Sequence, residues 1–164
     1  PSYPKVNFYL AKGFLAANNF KKAKEYAKEE SELNPTSEFG FIIAGKIFNA
    51  ERKKTRDRTK MLELAQKSIK SFEKAVRINS KSVEALIGLG QIKMGQGKYN
   101  EAVDLFKRAN NEDLSNADVY KLLGEAYTAR GELGFAIDSY KNYLEVNKLA
   151  PDKQQIQELI KKLK

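Results

Sequence analysis

An all-α chain of repeated helical hairpins is predicted by three observations. The stretch LIGLGQIKMGQGKYNEAVDLFKRA at 86–109 is echoed 34 residues later by YKLLGEAYTARGELGFAIDSYKNY. Leu89 and Gly90 return as Leu123 and Gly124, Gly97 as Gly131, Tyr99 as Leu133, Ala102 as Ala136 and Phe106 as Tyr140. Apolar residues within each stretch recur at i, i+3 and i+4, the period of a helix with one buried face. A hydrophobic content of 41% with four Pro and ten Gly is ordinary for a globular helical protein.

This skeleton of small and aromatic residues at a 34-residue period resembles the tetratricopeptide repeat (TPR), a helix-turn-helix unit. The resemblance implies a right-handed TPR superhelix (α-solenoid) of four helix-turn-helix repeats with a C-terminal capping helix. On that frame a TPR domain covers 4–150, with repeats at about 4–37, 38–82, 83–116 and 117–150, and the capping helix covers 151–164.

In the first repeat, Leu10, Ala11, Phe14, Phe20, Ala23 and Pro35 stand where the motif wants them. Ala27 takes a slot that is usually aromatic, and the adjacent Tyr26 is expected to supply the ring. Helices over about 5–17 and 20–33 are separated by a turn at Asn18 and Asn19. The second stops at Asn34-Pro35, because proline cannot continue a helix and biases its predecessor away from α.

The second repeat is longer. Ala11 to Gly45 and Phe14 to Phe48 are each 34 residues, but Ala23 to Ser68 is 45. Ser68 to Ala102, Phe72 to Phe106 and Ala75 to Ala109 return to 34. An 11-residue insertion therefore lies between the two helices of this repeat, inside 49–64. It contains no Gly or Pro, and Met61, Leu62, Ala65, Ile69 and Phe72 follow helical spacing. The expectation is longer helices, the first running on toward Lys54 and the second beginning near Thr59, projecting about one and a half turns past their neighbours.

Ser82 and Asn116 are the expected N-caps of the third and fourth repeats. After Pro151, Ile156, Leu159, Ile160 and Leu163 share one face, as a capping helix requires. Asp152 at its start and Lys161, Lys162 and Lys164 at its end suit the helix dipole.

Glycine inside a helix costs about 1 kcal/mol relative to alanine, so Gly45, Gly90 and Gly124 are expected to mark close approach. Their expected partners are the small residues Ser68, Ala102 and Ala136. Phe14, Phe48 and Tyr127, with Phe20, Tyr99 and Leu133, are expected to fill the gaps between units. Lys93 occupies an aromatic slot; its stem is expected to pack while its ammonium reaches water. Phe8, Tyr9, Leu10, Phe14 and Leu15 make the first helix apolar around much of its circumference, an edge expected to meet further repeats, a partner or a second copy. The absence of an initiator Met reads as a fragment of a longer array.

The composition disfavours catalysis. With no His and no Cys there is no Ser-His-Asp or Cys-His device and no usual transition-metal cluster, so neither enzymatic activity, cofactor nor metal is expected. The glycines of GLGQIKMGQG belong to the helical skeleton and follow no strand, which rules against a phosphate loop. The net charge of +9 comes from a basic set in which only six of thirty are Arg, a solvated lysine surface more than a phosphate-recognition set. No apolar run approaches the roughly 20 residues that span a bilayer, and no signal peptide is visible. The compartment is not readable.

TPR resemblance implies a concave groove lined by first helices that holds a peptide segment or a partner helix. Its positions here are Lys5, Phe8, Lys12 and Leu15, then Phe39, Ile42, Lys46 and Asn49. Glu84, Ile87, Gln91 and Met94 follow, then Asp118, Lys121, Glu125 and Thr128. The expected role is a non-enzymatic interaction scaffold or adaptor within a larger protein or assembly. Chaperone-binding relatives hold a terminal carboxylate with Lys and Asn, then Asn, then Lys and Arg. The corresponding residues here are Phe8, Lys12, Ile43, Glu84 and Gly88, or one repeat later Ile42, Lys46, Gly88, Asp118 and Leu122, so that activity is disfavoured. The alternative is nucleic-acid or anionic-surface binding through the basic hairpin at 51–60, with Arg52, Lys53, Lys54, Arg56, Arg58 and Lys60. No aromatic stacking platform lies between Phe48 and Phe72, which favours a solvated hairpin or an arm for an acidic protein.

Overall fold

The structure, a computed structural model, describes residues 5–164, so the expected domain start at residue 4 lies outside them. Among the described residues nine α-helices occur and no strand: α1 (Val6–Ala16), α2 (Phe20–Leu33), α3 (Phe39–Lys54), α4 (Arg58–Ile78), α5 (Val83–Gly95), α6 (Tyr99–Glu112), α7 (Ala117–Arg130), α8 (Leu133–Val146) and α9 (Lys153–Lys162). The chain divides into two compact units, Pro1–Gly88 and Leu89–Lys164. In the first, α1 packs on α2, α2 on α3 and α3 on α4; in the second, α6 packs on α7, α7 on α8 and α8 on α9.

Three hairpin turns share one backbone device. Asn18, Gly97 and Gly131 occupy equivalent positions and all have positive φ, at 58°, 74° and 78°. Glycine adopts that conformation freely, and asparagine is among the few other residues that tolerate it. The next residue then donates its N–H five residues back: Asn19 to the Phe14 carbonyl, Lys98 to Lys93 and Glu132 to Tyr127. These bonds satisfy carbonyls that each helix end would otherwise leave unpaired.

The insertion falls at this turn in the second repeat, and helices take it up. α3 has 16 residues and α4 has 21, and the connection between them is only residues 55–57. The Asp57 side chain starts α4 by accepting the Lys60 N–H at 3.1 Å. The end of α3 does not project freely. Lys24 pairs with Glu51 at 3.1 Å, and the Lys54 ammonium donates to Asn18 Oδ1 at 2.6 Å, so the α1–α2 hairpin braces the extension.

One N-cap expectation is met in position but not in bonding: Asn116 occupies the N-cap of α7, yet its side chain makes no capping bond. Asp152 occupies the N-cap of α9, also without a capping bond. Lys5, the N-cap of α1, has φ of 72° and no capping side chain either. Its function is supplied from α2. Glu30, only 2% exposed, accepts the Phe8 N–H at 3.2 Å and the Asn34 side-chain amide at 3.0 Å. A carboxylate at a helix N-terminus meets both the free N–H groups and the positive end of the dipole.

The glycines do mark close approach, but to rings. An added Cβ would lie 2.8 Å from the Phe72 ring at Gly45 and 2.6 Å from Tyr140 at Gly124, and at Gly90 it would overlap the Phe106 ring. Ser68 contributes differently, its hydroxyl donating to the Gly45 carbonyl at 2.7 Å. Each ring sits one helical turn after the small residue expected in that role, and helical side chains lean back toward the N-terminus, over the preceding turn. Phe72 is additionally close to Gly88, where a Cβ would lie 2.5 Å from the ring.

A second contact recurs in all four repeats. Lys22 lies over the Phe14 ring at 5.1 Å and Lys67 over Phe48 at 6.0 Å. At the same positions Lys93 pairs with Glu101 at 2.5 Å, and Tyr127 stacks on Phe135 at 5.3 Å between centroids. The Lys93 ammonium therefore ends at the surface on the exposed Glu101 carboxylate. Tyr26 stacks on Phe14 at 5.4 Å and 2°.

Candidate functional site

The groove residues of the first unit lie on α1, α3 and the start of α5. Phe8 meets Phe39 edge-on at 5.4 Å, and the Lys5 ammonium sits 4.0 Å above the Phe39 ring. Lys46 of α3 is ion-paired with Glu84 of α5. These contacts join the registers assigned to successive first helices: Phe8 with Phe39, then Lys46 with Glu84. Lys12 is exposed, while Leu15, Phe39, Asn49 and Ile87 are half-buried.

Two groove assignments change. Phe8 is 6% exposed and packs with Ala11, Ala23, Ala27, Ile43 and Ile47, and Ile42 is 1% exposed. Both are core side chains with no open surface to offer a peptide, because a helix buried by neighbours on two sides leaves only a narrow free stripe. Asn49 is also engaged, its Oδ1 accepting from Arg52 at 3.0 and 3.3 Å.

In the second unit, Gln91, Asp118 and Glu125 are exposed and Met94 and Thr128 half-buried. Thr128 donates its hydroxyl to the Gly124 carbonyl at 2.7 Å. Lys121 is held by Asp152, whose carboxylate accepts from the Lys121 ammonium and from the Tyr143 hydroxyl, each at 2.5 Å. Asp152 thus latches the start of α9 to α7 and α8, while Ile156 and Ile160 bury the apolar face of α9.

The latch sets a pH window. Hydrogen bonds from Lys121 and then Tyr143 hold the Asp152 carboxyl below its ordinary value, whereas the bond to Asp152 raises Lys121 and Tyr143. A lowered acid contributes stability above its unfolded pKa and loses it as pH falls through the folded value; the raised groups contribute below theirs and lose it as pH rises. The latch is therefore complete between about pH 4 and about pH 10 and weakens outside. The natural chain is expected to lose α9 amide-exchange protection below about pH 4, and Asp152→Asn to flatten that loss; an unaltered acid limb would contradict the assignment.

The basic hairpin is partly consumed within the fold. Arg52 bonds Asn49, Lys54 bonds Asn18, and Lys60 pairs with Glu51 at 3.6 Å. Lys53, Arg56 and Arg58 are exposed with no ion-pair partner among the described residues. No His, Cys, Asp or Glu cluster suited to a metal occurs among the described residues, nor a helix long and apolar enough to cross a membrane.

Residues 64–126 match the family model of the tetratricopeptide repeat. Within that stretch the chain carries the tetratricopeptide repeat. Over 140 residues it is 26% identical to anaphase-promoting complex subunit 3 of Schizosaccharomyces pombe, a match covering 85% of this chain and 19% of that protein. The chain thus spans about a fifth of that curated relative's length. The crystal structure of a thermophilic TPR protein of Thermus thermophilus has a TM-score of 0.82 at 20% identity, covering 99% of this chain and 82% of the other. The Cut9–Hcn1 hetero-tetramer of the APC/C gives 0.74 at 18% identity, covering 96% of this chain and 29% of the other. At these identities the structural matches show the TPR fold.

Proposed function

We propose that this TPR chain is a non-enzymatic scaffold or adaptor, holding a peptide segment or partner helix along the first-helix face and working within a larger assembly. One observation carries the reading: Lys46 and Glu84 are paired across α3 and α5, with exposed Lys12 and half-buried Ile87 on the flanking first helices. Mixed charge beside apolar surface suits a polypeptide with a hydrophobic centre and charged flanks. The repeats at 4–37, 38–82, 83–116 and 117–150 are proposed to form the binding domain. The relatives support this in kind: one is a subunit of the anaphase-promoting complex, the other is seen in a hetero-tetramer. Anionic-surface binding through 51–60 is the weaker reading, since Arg52, Lys54 and Lys60 are engaged internally.

Panning a random peptide library on the full chain tests the proposal. Selected peptides are expected to lose at least about tenfold in affinity with Lys12→Glu and with Ile87→Ala, equivalent to about 1.4 kcal/mol. Binding that ignores both changes, or that goes to RNA with steep salt dependence and disappears in Arg56→Glu, contradicts it.

A further inference from the structure

The positive charge of the chain is concentrated in its first unit. Residues 1–88 carry eighteen Lys and Arg against ten Asp and Glu, whereas 89–164 carry twelve against eleven. Of the six Arg, Arg52, Arg56 and Arg58 all fall in the extension of the second repeat. Arg pairs with a carboxylate through two parallel N–H bonds, so its local clustering is a different signal from a lysine-rich surface.

The extension is held from within and bare at its tip. Glu51, its side chain 14% exposed, takes Lys24 at 3.1 Å and Lys60 at 3.6 Å. Asp57 is committed to the Lys60 N–H, and Glu63 to Lys67 at 2.5 Å. Thr55 Oγ1 accepts the Asp57 N–H at 3.3 Å, which orders the short connection between the helices. Every carboxylate between 51 and 63 is therefore engaged, while Lys53, Arg56 and Arg58 are exposed without an ion-pair partner among the described residues. Beside them Leu62 is 62% exposed, one turn after Arg58 on the same face of α4. A single exposed leucine carries no argument by itself. On a braced tip with three unneutralised cations it adds an apolar contact to a charged one.

We infer that this tip is a second binding surface, for an acidic polypeptide segment that pairs carboxylates with Arg56, Arg58 and Lys53 and lays one apolar side chain on Leu62. Arg58 and Leu62 are four helical residues apart, a rise of about 6 Å. In an extended segment the side chains on one face recur every second residue, about 6.5 Å apart. The pattern recognised is therefore an acidic residue, any residue, then an apolar one, with further acids around them. A nucleic acid fits less well, because single strands use aromatic stacking platforms and none lies between Phe48 and Phe72. A tip already ordered by its own bonds also lowers the cost of binding. The surface shares no residue with the first-helix face proposed above.

The test uses the full chain and two fluorescent dodecapeptides, one with four acidic residues around a Glu-Ser-Leu core and one with Glu-Ser-Ser in its place. The first is expected to bind at least about tenfold more tightly than the second, and to weaken at least about tenfold with Arg56→Glu or Arg58→Glu. Leu62→Gln is expected to abolish the difference between the two peptides, and Lys12→Glu to change neither. All three tip positions are exposed, a carboxylate at 58 suits the start of α4, and Gln is a good helix former, so the melting temperatures are expected to hold. No binding of the first peptide, or equal binding of both, overturns the inference. So does binding of oligouridylate or phosphatidylserine vesicles that Arg56→Glu abolishes and the acidic peptide fails to displace. Sensitivity to Lys12→Glu with none to Arg58→Glu also overturns it, by placing the peptide on the first-helix face.

Discussion

Phe72→Ala is expected to destabilise the first unit by about 3–5 kcal/mol, the largest effect of any single change considered. Its ring is 1% exposed and lies against Gly45 and Gly88, two glycines on different helices that both leave room for it. The same geometry makes Gly88→Ala unfavourable, because the new methyl would lie 2.5 Å from ring atoms that have nowhere to move. That overpacking costs about 1–3 kcal/mol, exceeding the gain of about 1 kcal/mol from replacing glycine in a helix. In the Phe72→Ala background the methyl enters an emptied space, and Gly88→Ala is expected to become neutral or stabilising. Urea denaturation of the four proteins in a double-mutant cycle measures the coupling. Additive losses would mean that ring and glycine do not share the space assigned to them.

Glu30→Ala is expected to cost about 1.5–3 kcal/mol, the range for a hydrogen bond to a charged group. The loss is concentrated at one place. Glu30 is the substitute cap for α1, where Lys5 provides none, so removing it leaves the Phe8 N–H unpaired in a buried setting. Glu30→Gln keeps an acceptor of the same shape without the charge and is expected to lose less. Hydrogen exchange at the Phe8 amide reads the effect directly: it should accelerate strongly in Glu30→Ala, while amides in the second unit keep their rates. Unchanged protection at Phe8 would remove the capping assignment.

The helix plan was legible because its signals are local. The insertion has neither Gly nor Pro, and α3 and α4 accordingly run to Lys54 and from Arg58. Side-chain reach was not legible. Spacing identifies the face on which Ser68 and Phe72 lie, but it does not say which of them covers Gly45, and the ring does so by leaning back a turn.

Glu30 and Tyr143 were missed although a signal existed. They occupy the position of Ala75 and Ala109, which are fully buried in the middle repeats. In the first and last repeats that position carries a long polar side chain, and each bonds across to another helix: Glu30 to the start of α1, Tyr143 to Asp152. A departure from the repeat at its ends was thus a sign of terminal capping. The candidate groove was legible only in part. Apolar residues such as Phe8 and Ile42 look the same in sequence whether they face a ligand or the core. The engagement of Lys121 was hidden for another reason, since its partner Asp152 lies beyond the last full repeat and outside the frame.

Amide chemical-shift mapping of a panned peptide of the Lys12-sensitive class tests the proposed polypeptide binding along the first-helix face. A connected set of shifts around Lys12, Lys46, Glu84 and Ile87 is expected, disappearing in Lys12→Glu. Shifts confined to the hairpin at 51–60, or none at all on α1 and α3 at saturating peptide, would contradict it.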